Sequence, residues 1–377
     1  MPIDVEKLLQ ELVRIPSVNP RCTGAPADQT GEKRIAKYLG EILSGKGFQV
    51  DLPQVHPDRP NLVAFHPGQG EDASGFCAHL DTMPTENMTV APFEGTIRDG
   101  RLWGRGACDT KGSVAAITAA ALNVLEEDPA SFPSTLLLFT CDEEMGFTGA
   151  AHFAASNHPP LKGMVIGEPS SRRLAIAHKG VVRISVRTMG KAAHASTPEN
   201  GVNAILRMAP VLSALDRLGD ELAHRPPHLV LGNATLNIGA IQGGLAVNIV
   251  PDLCRIDIDR RVLPDETVDG IVGELREALK DIPGCVLEDP SLVAPGFAID
   301  KSHPWARFVS EALDQPEPGV VPYATDASIL HPAGIPCVIY GPGNHRQAHA
   351  ADEYIELESL RAAVSDYEQI LRKARVL

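Results

Sequence analysis

Two histidines and a set of carboxylates, arranged in five short motifs, are the residues of this chain that could do chemistry. In order they are His79-Leu80-Asp81, Asp109-Thr110-Lys111-Gly112, Glu143-Glu144, Gly167-Glu168-Pro169, and His349 followed by Asp352-Glu353. Each of the first four follows a short stretch that reads as a buried strand. Strand ends are where an α/β sheet presents its site. Five such points can converge, and what they deliver is nitrogen and oxygen donors. That set suits two divalent ions, zinc first among them.

The residue types suggest a division of labour. Asp109 can bridge, because one carboxylate holds two cations roughly 3.5–4 Å apart in two-metal hydrolases. His79 is a terminal nitrogen ligand. Asp81, two residues on, lies on the same face of an extended segment. It is placed to accept the imidazole's other N–H and fix its tautomer. Glu143 and Glu144 are adjacent carboxylates that repel each other and are costly to desolvate. A functional reading makes Glu144 a ligand and Glu143 the base that takes a proton from water. Glu168 serves the second ion, and His349 completes the ligand set, with His345 four residues earlier as an alternative. Cys108 and Cys141 each adjoin a site carboxylate and are read as packing residues. His66, His152, His158 and His178 have no acidic partner nearby in sequence. Any one motif alone would pass for a solvated loop; their common position at apolar strand ends argues otherwise.

The elements that must carry these motifs alternate. Val5 to Val13, Glu32 to Leu43 and the Ala-rich Lys111 to Glu127 read as helices. Gly47 to Leu52, Asn61 to His66, Gly75 to His79, Ser134 to Thr140 and Lys162 to Ile166 read as strands. Thr82 to Gly100 is loop-rich, with Pro84, Pro92 and Gly95. The character then changes. Ala175 to Thr188 reads as one strand, Gly201 to Leu218 as a helix, Thr235 to Ala240 and Asp252 to Val262 as strands. Val268 to Asp281 follows as a helix and Cys285 to Asp289 as a strand. This β-α-β-β-α-β order is that of a ferredoxin-like unit, and it holds none of the metal-ligand candidates. The first style returns with a helix at Trp305 to Leu313, a strand at Pro336 to Tyr340 and a last helix from Glu358. The expected organisation is therefore an α/β catalytic domain, residues 1–173 and 291–377, split by an insert at residues 174–290.

Composition bounds the rest. At 377 residues the chain suits two domains. It has 44% hydrophobic residues and no apolar run near twenty, so no membrane span is expected. The first residues lack a signal peptide's features. Seven cysteines, an odd number without CxxC spacing, fit a reducing cytoplasm rather than a disulfide scaffold. A net charge of −14, spread along the chain, argues against nucleic acid as a partner. No P-loop pattern supports phosphate-ester chemistry. A non-catalytic binding protein on the same scaffold would be marked by a missing base or ligand, and none is missing.

Taken together, the motifs resemble the M20 family of metallopeptidases and amidohydrolases. They stand here as His79-Leu-Asp-Thr82, Gly104-Arg-Gly-Ala-Cys-Asp-Thr-Lys-Gly112, Glu143-Glu144, Gly167-Glu-Pro169 and Ala348-His-Ala-Ala-Asp-Glu353. The resemblance implies a zinc-peptidase-like catalytic domain with a mixed sheet and an inserted dimerisation or lid domain. It implies two Zn²⁺ per subunit, replaceable by Co²⁺: one on His79, Asp109 and Glu168, the other on Asp109, Glu144 and His349. It favours His349 over His345 and implies a cis peptide after Asp109. The motifs Ala193-His194-Ala-Ser and Gly201-Val-Asn-Ala-Ile205 resemble the family's dimerisation signature. In a homodimer His194 would reach the other subunit's site. Asn248, Arg261, Lys179 and Thr325 match substrate-binding positions, although Ala324 stands where many members have Gly, and Arg260-Arg261 also reads as a charged strand edge. The segment Gly341-Pro-Gly-Asn-His-Arg-Gln-Ala-His349 looks most like the acetylornithine deacetylase branch. The implied substrate is an N-acyl amino acid, with succinyl-diaminopimelate or a short peptide as the alternatives.

Overall fold

The computed structural model describes residues 2–22, 24–86 and 88–375. The chain divides into two compact units. One comprises residues 1–177, 299–321 and 325–377, the other residues 178–298 and 322–324.

The first unit is built on a mixed sheet. Its strands run, in order, Gln49–Asp51, Leu62–His66, Pro133–Thr140, Gln69–His79, Leu161–Ile166, Cys337–Ile339 and Ala175–His178. The central four are mutually parallel. Their carboxyl ends therefore open on one side, the side where an open α/β sheet presents a ligand site. The strand Pro133–Thr140 is buried at every position, because Leu136 to Phe139 face covering layers on both sides of the sheet. The helices Val5–Val13, Lys111–Glu127 and Leu357–Ala374 pack together. Lys111–Glu127 is buried almost all round, which its alanines permit by allowing close approach. A small antiparallel sheet of Thr96–Arg98, Arg101–Trp103 and Tyr354–Glu356 lies inside and beyond the stretch expected to be loop. Its outer strand is exposed at all three positions, so it lacks the apolar alternation that marks a strand in sequence.

The second unit has the sheet order Thr235–Gly243, Leu253–Val262, Gly180–Met189, Cys285–Leu287, all antiparallel. With the helices Ala204–His224 and Val268–Leu279 this is the ferredoxin-like order. Leu253–Val262 turns Cys254, Ile256, Ile258 and Val262 into a core shared with Met208, Val211, Leu215, Leu218 and Leu222 of the long helix. The stretch expected as one strand from Ala175 is in fact two. Ala175–His178 belongs to the first sheet and Gly180–Met189 to the second. The apolar pattern is interrupted only by His178-Lys179-Gly180 before Val181 and Val182 resume it, a break too short to mark the change of sheet in the sequence.

Candidate metal centre

His79 is the last residue of the strand Gln69–His79 and is 1% exposed. Its Nδ1 lies 2.9 Å from the backbone carbonyl of Asp81 and 3.7 Å from that residue's carboxylate. A carbonyl oxygen only accepts, so Nδ1 carries the proton and the lone pair of a neutral ring sits on Nε2. The orienting partner is thus the main chain of Asp81, whereas the side chain was expected. The Asp81 carboxylate has another task. It accepts from the backbone N–H of Glu143 at 3.0 Å, of Glu144 at 3.2 Å, and from Asn19 Nδ2 at 2.7 Å. It holds the turn that carries the two glutamates.

His79 Nε2 faces Asp109 Oδ1 at 2.9 Å. The other carboxylate oxygen of Asp109 lies 3.5 Å from His349 Nε2. His349 Nε2 is also 2.9 Å from Glu144 Oε2. Donor atoms of His79, Asp109 and Glu144 all lie within 4.8 Å of one another. Glu143 Oε2 is 4.0 Å from His79 Nε2. Glu168, 4% exposed, acts on the group through its charge. His345 begins the 3₁₀ turn His345–Gln347, and His349 is the histidine that meets Glu144. Asp109 does not follow a strand of the main sheet. It ends the loop Gly104 to Cys108 and precedes the helix Lys111–Glu127, after a cis Asp109–Thr110 peptide bond. Gly106 makes that loop possible: its φ is +82°, and a Cβ there would stand 2.7 Å from Thr82 Cγ2.

The electrostatics follow from burial. Glu143 and Glu168 are pushed well above the usual carboxylate range by burial first and by each other's neighbourhood of carboxylates second. Burial alone would lower His79, but the hydrogen bond it donates to Asp109 and the charges of Glu143 and Glu168 raise it well above an ordinary imidazole. His349 is pushed up to about 9, led by its hydrogen bond to Glu144. Asp326 lies beneath the group, 1% exposed, and burial raises it to about 6. Asp81, Asp109, Glu143, Glu144, Glu168 and Asp326 thus outnumber the two imidazoles among them. Without an ion, His79 Nε2 holds a proton towards Asp109 Oδ1. An imidazole nitrogen that a cation could take in that proton's place, beside several buried carboxylates, is a donor set that fits divalent cations. The cysteines do not join it. Cys108 and Cys141 are fully buried, with thiols raised by burial and directed at the carbonyls of Asn344 and Arg59.

A polar network supports the centre, and the sequence offered little sign of it. Arg59, 7% exposed, grips Glu32 through Nε and Nη2 at 2.8 and 2.6 Å and reaches Asp142 at 3.2 Å. Asn19 Nδ2 bridges Asp81 and Asp142, at 2.7 and 3.0 Å. Burial by itself would raise Asp142; hydrogen bonds from Asn19 and Thr148 and the Arg59 and Arg21 charges outweigh it and lower it. These residues are scattered from Asn19 to Thr148, so only folding reveals them as one group. The remaining expected residues sit elsewhere. Thr325 Oγ1 accepts from Ala327 N–H at 3.1 Å, two residues before the helix Ala327–Leu330 begins. His194, Lys179, Asn248 and Arg261 belong to the other unit. There His194 Nδ1 meets Ser196 Oγ at 2.7 Å, Lys179 Nζ donates to the Asn233 carbonyl at 2.6 Å, and Arg261 Nε donates to Asp259 at 2.7 Å.

Residues 75–373 match the profile of Peptidase family M20/M25/M40. The acetylornithine deacetylase of Vibrio vulnificus is 34% identical over 362 residues, 92% of this chain and 93% of the relative. Among solved structures, a tripeptidase from Staphylococcus aureus superposes with a TM-score of 0.80 at 24% identity, covering 99% of this chain and 98% of its own. An M20 family metallo-carboxypeptidase from Sulfolobus solfataricus superposes with a TM-score of 0.81 at 18% identity, covering 100% of both chains. At those identities the two likenesses are of fold. No helix among the described residues is long and apolar enough to cross a membrane. The chain belongs to the M20/M25/M40 peptidase family and is a metal-dependent hydrolase of amide bonds.

Proposed function

We propose that this protein is a di-zinc amidohydrolase that removes the acyl group from an N-acyl amino acid, with acetyl as the preferred acyl group. The observation that carries the two-ion reading is Asp109. Its two carboxylate oxygens face imidazoles from distant parts of the chain, Oδ1 towards His79 and Oδ2 towards His349. His79, Asp109 and Glu168 would hold one ion, and Asp109, Glu144 and His349 the other, with Co²⁺ able to replace Zn²⁺. When bound, such ions polarise an amide carbonyl and lower the pKa of water towards about 7. Glu143 takes the proton of the attacking water and returns it to the departing amine. Its burial suits that task, because a carboxylate raised above its ordinary range is a stronger base towards the proton of water, and its acid form can still pass that proton to the more basic departing amine. Asp81 keeps Glu143 in place through its backbone N–H.

The insert is proposed as a dimerisation domain at residues 174–290, with residues 1–173 and 291–377 as the catalytic domain. Its outer strand Thr235–Gly243 is largely exposed, and Leu206 and Ile241 are 71% and 55% exposed. His194 would act on the partner's substrate as an oxyanion donor. Asn248, Arg261, Lys179 and Thr325 would contact the substrate's carboxylate end, for which an arginine fork is suited. The acetyl preference rests on the deacetylase relatives. Purified protein is assayed for amine release from N-acetyl, N-succinyl and N-formyl amino acids and from dipeptides, before and after chelation. Fastest turnover of an N-acetyl amino acid, lost on chelation and restored by Zn²⁺ or Co²⁺, is expected. Preference for succinyl donors or dipeptides would move the assignment to those substrates, and full activity in metal-free protein would end the metal reading.

A further inference from the structure

Glu353 has no assigned part in this chemistry, yet four donors converge on its carboxylate. It is fully buried. Oε1 accepts from the backbone N–H of Cys108 at 2.8 Å and of Asp109 at 2.9 Å. Oε2 accepts from Gly106 N–H at 2.9 Å and from Arg105 Nη1 at 2.9 Å. Its own carbonyl accepts from Gly104 N–H at 3.0 Å. The loop Gly104 to Asp109 is thus wrapped around one side chain, and the last donor in the series is the amide of Asp109 itself.

Glu353 also lies four residues after His349. The next residue opens the strand Tyr354–Glu356, which pairs with Arg101–Trp103 just before that loop. The segment that delivers His349 and the loop that delivers Asp109 therefore meet at this carboxylate. The two imidazoles differ in how else they are held. His79 ends a central strand, and the Asp81 carbonyl locks its ring. His349 has a φ of +60°, stands outside regular structure and has a half-exposed side chain.

We propose that Glu353 is a positioning residue for Asp109, the carboxylate that would serve both ions. It fixes the backbone from which Asp109 emerges, and hence which oxygen faces His79 and which faces His349. This rests on the metal reading above. A glutamine in its place would present an NH₂ group to backbone N–H donors, a buried donor–donor contact that must be relieved by moving the loop. The ion held by Asp109, Glu144 and His349 should feel that movement most, because His349 has no second anchor of the strength that holds His79.

The test is a titration of metal-free protein with Co²⁺, followed by its visible spectrum and by calorimetry, after circular dichroism shows each variant folded. The wild type should take up two ions. Glu353→Gln should keep one site and weaken the other by roughly 10–100-fold, the usual effect of losing an outer partner of a ligand. Arg105→Gln removes the charge opposite Oε2 but leaves the three backbone donors, so it should weaken the second site less. Should Glu353→Gln fail to fold, Glu353→Asp, which keeps an all-acceptor side chain but is one methylene short of the loop donors, should weaken the second site alone, and two sites as tight as in the wild type would overturn the inference. A wild type that binds no metal would end the metal reading. Two intact sites in Glu353→Gln, or equal loss at both sites, would overturn this inference while leaving that reading standing. Equal effects of Glu353→Gln and Arg105→Gln would reduce Glu353 to one half of a buried ion pair.

Discussion

Glu143 and Glu144 are neighbours with different surroundings, and that difference is what a single-atom change can test. Glu144 touches His349, while Glu143 makes no hydrogen bond to either histidine and is 4.0 Å from His79 at its nearest. Glu143→Gln should cost at least roughly 10²–10⁴-fold in kcat with metal content unchanged, the range for a lost general base. Glu144→Gln should lower metal content instead. Elemental analysis beside the rate assay separates them, and the reverse pattern would exchange the roles. Asp81 is the second case. Its carboxylate accepts from both glutamate amides and from Asn19, while its carbonyl holds His79. Asp81→Asn keeps the carbonyl and loses one acceptor. The expected result is a fall in kcat of roughly 10–100-fold, with His79 still binding its ion. Loss of that ion on metal analysis would mean that the side chain, and not the carbonyl, sustains the ligand.

At the scale of elements, parallel strands bring the motifs together, and the packing of the strand Leu161–Ile166 depends on one small residue. Gly163 faces the helix Pro304–Leu313, where Trp305 is 2% exposed and donates from Nε1 to the Met164 carbonyl at 3.2 Å. A Cβ at position 163 would stand 2.3 Å from Trp305 Cγ. Gly163→Ala should therefore cost about 1–3 kcal/mol of stability, the range for overpacking a filled interior. Denaturant melts would measure it, and metal content should hold, because Glu168 lies beyond the end of that strand. An unchanged midpoint would show that the helix moves away freely.

At the scale of the whole molecule, two expectations concern assembly and acid. If the insert pairs two copies and His194 serves the opposite site, then mixing inactive His194→Ala with inactive Glu143→Ala should restore activity after subunit exchange. One site of the mixed dimer would hold Glu143 from the first variant and His194 from the second. No recovery after proven exchange, or a monomer by sedimentation, would refute the cross-subunit role. The second expectation concerns His178. It is fully buried against Phe297, and burial lowers its imidazole to about 4. An unfolded histidine titrates near about 6.5. The folded value lies below the unfolded one, so its contribution is whole above about pH 6.5 and is lost as pH falls towards 4. That amounts to about 3 kcal/mol at most. Denaturant stability followed from pH 7 to 4.5 should fall more steeply in the wild type than in His178→Asn. Parallel curves would remove His178 from the acid transition.

Candidate ligands were legible in the sequence because metal donors have to be particular residue types. His79, Asp109, Glu144 and His349 could be chosen for their chemistry, and strands ending at Thr140 and Ile166 were visible as apolar runs. The insert's order followed from periodicity, since each strand and helix buries one face of its own. Contacts that are polar at both ends and distant in sequence leave no such pattern. The clasp of Arg59 on Glu32, the bridge of Asn19 between Asp81 and Asp142, and the four donors around Glu353 became visible only when the chain had folded. The same holds for the change of sheet at Lys179 and for the choice of carbonyl over carboxylate at His79. Residue type constrains what a side chain can donate or accept; which partner it meets depends on where the rest of the chain has been packed.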